Sequence, residues 1–231
     1  MDINKVDVEG GGFVKLVDFM GGDLRTVNSA RISFHKQKEL IDLHDTKLIK
    51  YLGEHNHTAP FRSSMVTLHF KASISIARQA FKHVIGSDYT FKDTCWNEVS
   101  GRYTDTVADE CFIPTVLRGQ SSDNKQGSEG LVDDPYLLEV YKDAISKATE
   151  AYTILVNHGV AKEQARFLLP GAAFTEWYWT ASLQAVTHFY KLRIAPNAQP
   201  EIQCYADAVK QLVEPRAPLS WEALCKTHSK D

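Results

Sequence analysis

The clearest secondary-structure signal is carried by residues 65–76, which read MVTLHFKASISI. Apolar side chains occupy every even position of this segment, and the odd positions are mostly polar. A period of two is typical of a β-strand with one face on a core and the other toward solvent or a partner. Since such alternation favours antiparallel pairing, it predicts a mixed α/β fold of the α+β kind, in which helices pack on a mostly antiparallel sheet.

The segments on either side of this strand predict the rest of one domain that covers residues 1–231. Asp134-Pro135 is a typical helix start and Gly159 a typical helix end, so they bound the longest predicted helix. Hydrophobic spacing and turn residues predict the other elements. We expect strands at 13–20 and 173–180, helices at 37–53, 77–83, 161–169, 182–193 and 199–213, and a flexible loop at 118–134.

The composition bounds the class of protein. The chain has 231 residues, of which 43% are hydrophobic and 24% charged, as in ordinary globular proteins. A formal net charge of −3 disfavours a general nucleic-acid binder, which usually carries a basic excess. The sequence has no signal-peptide pattern and no run of about 20 apolar residues, so we expect a cytoplasmic protein without membrane contact. The four cysteines form no close pair, and no metal site is expected.

The densest group of polar residues lies between Arg78 and Tyr103. Within it, Ser100-Gly101-Arg102 offers backbone N–H groups, a hydroxyl and a guanidinium to a single phosphate. Glycine allows close backbone approach, and arginine supplies a bidentate fork. The alternative interpretation is that these residues are solvated surface charges, which is the ordinary state of such side chains. Position alone leaves both interpretations open.

Two further arginines, Arg166 and Arg193, stand among large apolar residues. A charge in such surroundings is costly to desolvate unless it is paired. One interpretation is a buried ion pair with Glu163 or Glu176, and the other is a site for an anionic ligand. The sequence does not favour either one.

The polar region also has an ordered pattern: Arg78-Gln79, then His83, Ser87 and residues 97–103, NEVSGRY. This pattern resembles the flavin-dependent thymidylate synthases, whose motif reads Arg-His-Arg, two residues, Ser, one residue, Asn-Glu, one residue, Ser, one residue, Arg-Tyr. The likeness extends over most of the chain, too far for chance. Blocks in register with the family are GGFVKLVDFMGG at 11–22, ARISF at 30–34, HTAPF at 57–61, QARFLLP at 164–170, TEWYWT at 175–180 and LRIAPNAQPEIQCY at 192–205.

The resemblance implies a site for the nucleotide dUMP. The phosphate would be held by residues that match Gln79, Ser100, Gly101, Arg102 and Arg166, the last from a neighbouring subunit. Arg193 would contact the uracil ring and act in catalysis, because a guanidinium at the pyrimidine edge stabilises charge that develops on the ring. The implied nucleotide set is completed by Lys82, Glu98 and Val99.

The resemblance also implies an FAD site. Its residues would be Ser33, Ala59, Lys82, His83, Val84, Glu98, Ser182, Gln184 and His188. The chain departs from the family here, since the Arg-His-Arg triplet has become Lys82-His83-Val84. Lysine retains a positive charge but loses the guanidinium fork, and valine removes the second cation.

Four further positions on the flavin side differ from the family pattern. The threonine and glutamate around the Pro-Phe pair become Ala59 and Arg62, and the asparagine and arginine of the late helix become Ser182 and Gln184. In addition, nine residues, Asp88–Trp96, stand where the family has one. We expect this insertion at the mouth of the cofactor site, where it would cover, replace or reshape the flavin or folate platform.

The leading hypothesis is the reductive methylation of dUMP to dTMP by a homotetramer whose active sites lie between subunits. By the resemblance, methylenetetrahydrofolate donates the carbon and NADPH reduces FAD. Two alternatives stay open. The insertion and the altered flavin contacts favour a hydroxymethylase that acts on dUMP or dCMP. The residues Lys82, Val84, Ser182 and Gln184 favour a nucleotide-binding protein that has lost catalysis.

Overall fold

The computed structural model describes residues 2–83, 96–101 and 110–226. The strands are β1 (Lys5–Val8), β2 (Gly12–Met20), β3 (Met65–Ser73), β4 (Trp96–Glu98), β5 (Leu117–Gln120), β6 (Ser128–Val132) and β7 (Phe174–Ser182). Five of them form one sheet in the order β1-β2-β3-β7-β4, and all its pairings are antiparallel. β5 and β6 form a separate antiparallel hairpin. The predicted α+β class with a mostly antiparallel sheet is confirmed.

Helices cover the sheet and connect its strands. They are α1 (Asp23–Arg31), α2 (Leu43–Glu54), α3 (Ile74–Phe81), α4 (Pro135–Asn157), α5 (Lys162–Ala165), α6 (Leu183–Arg193), α7 (Pro200–Val213) and α8 (Pro218–Lys226). α7 packs on β1 and β2, α6 packs on β3, and α8 contacts α2 and α6. In the described part of the chain no helix combines the length and the apolar character that crossing a membrane requires.

Strand β3 lies in the middle of the sheet, between β2 and β7. Val66, Leu68, Phe70 and Ala72 are at most 1% exposed and form one face of the core. The side chains between them are only half-buried. The alternation in the sequence therefore predicted both the strand and its buried face, because successive side chains of a strand point to opposite sides of the sheet.

The predicted end of this strand was wrong. β3 stops at Ser73, and α3 begins at Ile74 instead of residue 77. The Ser73 hydroxyl accepts a hydrogen bond from the Ile76 backbone N–H, which is a helix N-cap. Ile74 and Ile76 continue the alternation in the sequence, yet the serine cap directs the backbone into a helix.

The predicted loop at 118–134 was also wrong, because most of it forms the β5–β6 hairpin. The Glu129 carboxylate accepts hydrogen bonds from the hydroxyls of Ser121 and Ser122, and the Gln120 amide donates to the Gly127 carbonyl. Polar side chains thus hold the turn together, whereas in the sequence the same residues are typical of an unstructured loop.

The predicted helix at 37–53 was correct from residue 43 onward. α2 begins at Leu43, where Asp42 forms a capping box with Asp45, and it ends one residue past Gly53. The long helix that starts at Pro135 is confirmed, with the Asp134 carboxylate accepting from the Tyr136 N–H. The strand predicted at 173–180 and the helices at 161–169, 182–193 and 199–213 are confirmed within a few residues. The prediction missed β1, β4, α1 and α8.

Candidate functional site

Three predicted site residues meet where α3 and α6 end. Arg193 is the last residue of α6, and its Nε donates a hydrogen bond to Nε2 of His83 over 2.7 Å. One of its terminal nitrogens donates to the backbone carbonyl of Gln79 over 3.4 Å. Both partners belong to the end of α3, so two helix ends that are far apart in sequence fix the direction of one guanidinium. The side chain of Arg193 is half-buried.

His83 is neutral in this arrangement. Burial, together with the positive charge of Arg193 and the nearby His188, lowers the pKa of His83 to about 4. A neutral imidazole has one acceptor nitrogen, and the contact with Arg193 assigns that role to Nε2, which leaves the proton on Nδ1. Since arginine has no acceptor, the hydrogen bond requires this tautomer. Burial also lowers the pKa of His188, whose ring centroid lies 6.4 Å from that of His83.

The carboxylate of Glu98, at the end of β4, is held from two sides. The Thr175 hydroxyl donates to Oε1 over 2.9 Å, and the Trp96 indole N–H donates to Oε2 over 3.3 Å. Trp96 and Glu98 lie two positions apart on one strand and therefore share a face. The sequence did not predict that Thr175 and Trp96 hold Glu98. It named Thr175 only within the block TEWYWT and Trp96 only as the end of the insertion.

Trp96 is also the last residue of the predicted insertion. Its ring stacks on Trp177 with centroids 4.8 Å apart and meets Phe81 edge-on at 5.1 Å. Trp96 is thus half-buried against the core and bonded to Glu98, and the expected place of the insertion at the cofactor mouth stays a prediction. Residues 88–95 lie outside the described residues.

The other predicted phosphate residues are spread around this group. The Gln79 amide donates to Oε1 of Gln199, the N-cap residue of α7, over 2.6 Å. Val99, Ser100 and Gly101 follow β4, and the Val99 N–H continues its pairing by donating to the Glu176 carbonyl. Lys82 caps the end of α3 and is exposed. Arg102 and Val84 lie outside the described residues.

Arg166 lies apart from this group, in a 3-10 turn that packs on α4 and α5. Its side chain is exposed, and within the described residues it has no carboxylate partner. Glu176 instead binds Nε2 of His69 over 2.8 Å. The alternative of a buried ion pair with Glu163 or Glu176 is therefore wrong, because the guanidinium remains in solvent and has no desolvation cost to offset.

The predicted flavin residues form a second group along α6 and the 3-10 turn Ala59–Ser63. Nε of Arg62 donates to Oε1 of Gln184 over 2.6 Å, and a terminal nitrogen of Arg62 donates to the Thr58 hydroxyl over 3.3 Å. His188 follows Gln184 by one helical turn, on the same side of α6. Ala59 is exposed at the start of the 3-10 turn.

Two serines predicted for the flavin site differ in accessibility. Ser182 is 3% exposed, and its hydroxyl accepts from the Ala185 N–H as the N-cap of α6. Ser33 is exposed in the 3-10 turn Ile32–Phe34. Next to it is a cleft of about 480 Å³, whose lining residues are Arg25, Asn28, Ser29, Ile32, Gln37 and Ser63. Among its lining residues, Ile32 directly precedes Ser33 and Ser63 directly follows Arg62 in the sequence.

A cavity of about 410 Å³ lies elsewhere, between residues 112–118, Tyr141 and the start of α7. Of the predicted flavin and nucleotide residues that the structure describes, none lines it. Gln199, the partner of Gln79, is one of its lining residues. We therefore place the candidate site at the ends of α3 and α6 and in the cleft beside Ser33.

Comparison with known proteins shows which family the chain is similar to. Residues 15–219 match the family model described as thymidylate synthase complementing protein. The flavin-dependent thymidylate synthase of Thermus thermophilus is 42% identical over 212 residues, which cover 92% of this chain and 75% of that protein. The enzyme of the same name from Kosmotoga olearia is 38% identical over 215 residues, covering 92% of this chain and 89% of that protein.

Among solved structures, the chain is similar to a UMP/dUMP methylase from Streptomyces cacaoi bound with 5-Br dUMP. The sequence identity is 27% and the TM-score 0.81, with 96% of this chain and 98% of the other covered. The similarity therefore extends over the whole fold.

Proposed function

The chain belongs to the thymidylate synthase complementing protein family, and from that premise we propose that it converts dUMP to dTMP by flavin-dependent reductive methylation. The observation that carries this proposal is the half-buried guanidinium of Arg193, which a neutral His83 holds in one direction. Gln79, one of the retained nucleotide residues, accepts from the same guanidinium through its backbone carbonyl. Its relatives bear the name flavin-dependent thymidylate synthase, and a solved structure with the same fold is a UMP/dUMP methylase.

Arg193 has the central role in the proposed mechanism. Methylation at C5 of the pyrimidine requires that this carbon become nucleophilic, and negative charge then develops on the ring. A fixed guanidinium at the ring edge stabilises that charge without reorganising during the reaction. Because His83 accepts from Arg193 and carries no charge of its own, it orients the guanidinium without repelling it.

The phosphate of dUMP would be bound by Gln79, Ser100, Gly101 and Arg102 of one chain and Arg166 of another. Glu98 and Val99 would lie beside the nucleotide, with Glu98 already held by Thr175 and Trp96. Lys82 adds a positive charge near the end of α3. Arginines and backbone N–H groups together suit a dianionic phosphate.

The residues on the flavin side fit a dinucleotide with two phosphates. Arg25, Arg62 and Lys82 are exposed cations, and none forms an ion pair with a described carboxylate. The rings of His83 and His188 lie 6.4 Å apart, and burial lowers the pKa of both. The chemistry that FAD supplies when bound is the relay of electrons from NADPH, while methylenetetrahydrofolate donates the carbon. Ser33, Ala59, Gln184 and the backbone around Ser182 would contact the cofactor.

A homotetramer in the cytoplasm is part of the proposal. Only Tyr152 is buried among the 23 residues of α4. Tyr136 is 72% exposed on this helix, and Phe167, beside Arg166, is 84% exposed. Apolar surface of this kind favours association with another copy of the chain. Such an interface would carry Arg166 to a neighbouring nucleotide site.

Release of the C5 hydrogen tests the proposed chemistry. With dUMP tritiated at C5, FAD, NADPH and methylenetetrahydrofolate, we expect tritium in water, and omission of any one component should abolish it. The exposed variant Lys50→Gln on α2 serves as a control and should match the wild type. Retained dUMP binding without tritium release would contradict the proposal and support a nucleotide-binding protein without catalysis. The comparisons give the hydroxymethylase no better support than the methylation of dUMP, and the mass of the product would distinguish the two.

A further inference from the structure

Arg62 is an exposed cation on a rigid support. It belongs to the 3-10 turn Ala59–Ser63, and the preceding Phe61 is fully buried. The Ser63 hydroxyl donates to the Pro60 carbonyl over 2.6 Å, and the Phe61 N–H donates to the Thr58 carbonyl over 3.1 Å. The backbone at Arg62 is therefore anchored in the core on one side and closed by local hydrogen bonds on the other.

The guanidinium itself is held by neutral groups. Gln184 accepts from Nε and Thr58 accepts from a terminal nitrogen. Within the described residues no carboxylate pairs with Arg62. An arginine has five N–H donors in a planar fork, so donors remain for a further acceptor. A positive charge that is aligned yet not neutralised by its own chain suits a bidentate anion such as phosphate.

A cleft with a second cation lies at the 3-10 turn that carries Arg62. Ser63, the residue after Arg62, lines the cleft of about 480 Å³ together with Arg25, Asn28 and Ser29. Arg25 is exposed and likewise has no carboxylate partner within the described residues. The cleft thus offers hydroxyl, amide and guanidinium groups, which are the groups that bind a diphosphate.

Two of the differences from the family pattern, at positions 62 and 184, form a contact in the structure. The resemblance places a glutamate at position 62 and an arginine at position 184, whereas this chain has Arg62 and Gln184. Residues 62 and 184 are in contact in this chain. Relative to the family, the guanidinium therefore stands at position 62 instead of position 184, on the other side of the same contact. The acceptor has changed from a carboxylate to a neutral amide, which leaves the positive charge uncompensated.

We propose that Arg62, oriented by Gln184 and Thr58, binds the diphosphate of the flavin dinucleotide at the edge of the Arg25 cleft. This inference rests on the proposed function, because it takes FAD as the cofactor. It assigns to this chain a phosphate contact that compensates for cations missing at Val84 and Gln184.

The test measures the Kd of FAD and of riboflavin for the full chain stripped of flavin. Quenching of flavin fluorescence reports the binding. For Arg62→Gln we expect the Kd for FAD to rise roughly ten- to hundredfold, since hydrogen bonds to charged groups contribute about 1.5–3 kcal/mol. Arg62→Lys should lose less, and Arg62→Glu should lose most. Riboflavin lacks phosphate, so its Kd should not change. The circular dichroism melting curve of Arg62→Gln checks that the variant is folded.

The double variant Arg62→Glu/Gln184→Arg supplies the most specific control. It returns the guanidinium to position 184 with a carboxylate opposite, so FAD affinity should recover most of what Arg62→Glu loses. The inference is overturned if Arg62→Gln binds FAD as tightly as the wild type, or if riboflavin binding falls equally. If the wild type itself binds no FAD, the proposed function fails, which is a separate outcome.

Discussion

The two halves of the candidate site hold their arginines in different ways. Arg193 on the nucleotide side is half-buried and donates to a neutral imidazole. Arg62 on the flavin side is exposed and donates to an amide and a hydroxyl. The nucleotide side retains the residue types of its family. On the flavin side the arginine stands at position 62 and not at position 184, where the family has it. A half-buried catalytic arginine such as Arg193 requires particular partners to orient it. An exposed arginine that binds phosphate, such as Arg62, can instead be supplied by either of two residues in contact.

The largest effect is expected from Arg193→Ala. Loss of the guanidinium at the pyrimidine edge should lower kcat roughly a hundred- to thousandfold, the usual cost of removing one donor that stabilises developing charge. FAD affinity should stay within a few-fold of the wild type, which separates the two halves. Steady-state tritium release and a flavin titration give both numbers. A variant that lost FAD instead of turnover would contradict the assignment of Arg193 to the nucleotide half.

Trp96→Ala should have the next largest effect, on stability. Removing a half-buried ring that stacks on Trp177 should lower the free energy of unfolding by about 2–3 kcal/mol. Urea unfolding measures this change. Trp96→Phe retains an aromatic ring but not the N–H to Glu98, so it should restore most of the stability and still raise the KM for dUMP. If both variants were as stable as the wild type, Trp96 would not anchor β4.

A pH dependence follows from His83. Its folded-state pKa of about 4 lies below the ordinary value of 6.5, so between these values the unfolded chain binds more protons than the folded one. The free energy of unfolding should therefore fall as pH decreases through this window. After allowance for partial exposure, we expect about 1–2 kcal/mol from this residue.

Urea titrations between pH 7 and pH 4 test this expectation against His83→Gln, which retains an acceptor but does not titrate. The variant should show a shallower loss of stability in acid, and its kcat at pH 7 should fall less than that of His83→Ala. Parallel curves for wild type and His83→Gln would mean that the imidazole does not stay neutral in the fold.

The smallest effect is expected from Thr175→Val. One hydrogen bond to Glu98 is lost, and a bond to a charged group contributes about 1.5–3 kcal/mol when buried, less for an exposed carboxylate. We expect a rise of a few-fold in the KM for dUMP, with kcat and FAD affinity unchanged. Thr175→Ser retains the hydroxyl and should match the wild type. An equal rise in both variants would trace the effect to packing and not to the hydrogen bond.

Local sequence signals predicted most of the fold. The alternation in β3 and the Asp134-Pro135 start of α4 depend on neighbouring residues, and both are confirmed. The end of β3 at Ser73 and the β5–β6 hairpin depend on side-chain hydrogen bonds, which periodicity does not register. In each case a polar side chain determined the local backbone geometry.

For the site as well, the sequence predicted individual residues but not the hydrogen bonds between them. The resemblance named Arg193, His83 and Gln184 as separate positions. The bonds that give them their roles join residues 110 positions apart for Arg193 and His83, and 122 positions apart for Arg62 and Gln184. Such pairs follow only from the three-dimensional fold. From the sequence, Arg62 was only a difference from the family pattern. Its hydrogen bond to Gln184 is what suggests that it binds a phosphate.

The most direct test of the proposed function is mass spectrometry of the nucleotide after incubation of the wild-type chain with dUMP, FAD, NADPH and methylenetetrahydrofolate. We expect a product heavier than dUMP by one CH₂ group, formed roughly a hundred- to thousandfold more slowly when Arg193→Ala replaces the wild type. A product heavier by CH₂O would identify a hydroxymethylase, and recovery of unchanged dUMP from protein that binds it would show that this chain does not catalyse methylation. Either result would contradict the proposed methylation of dUMP.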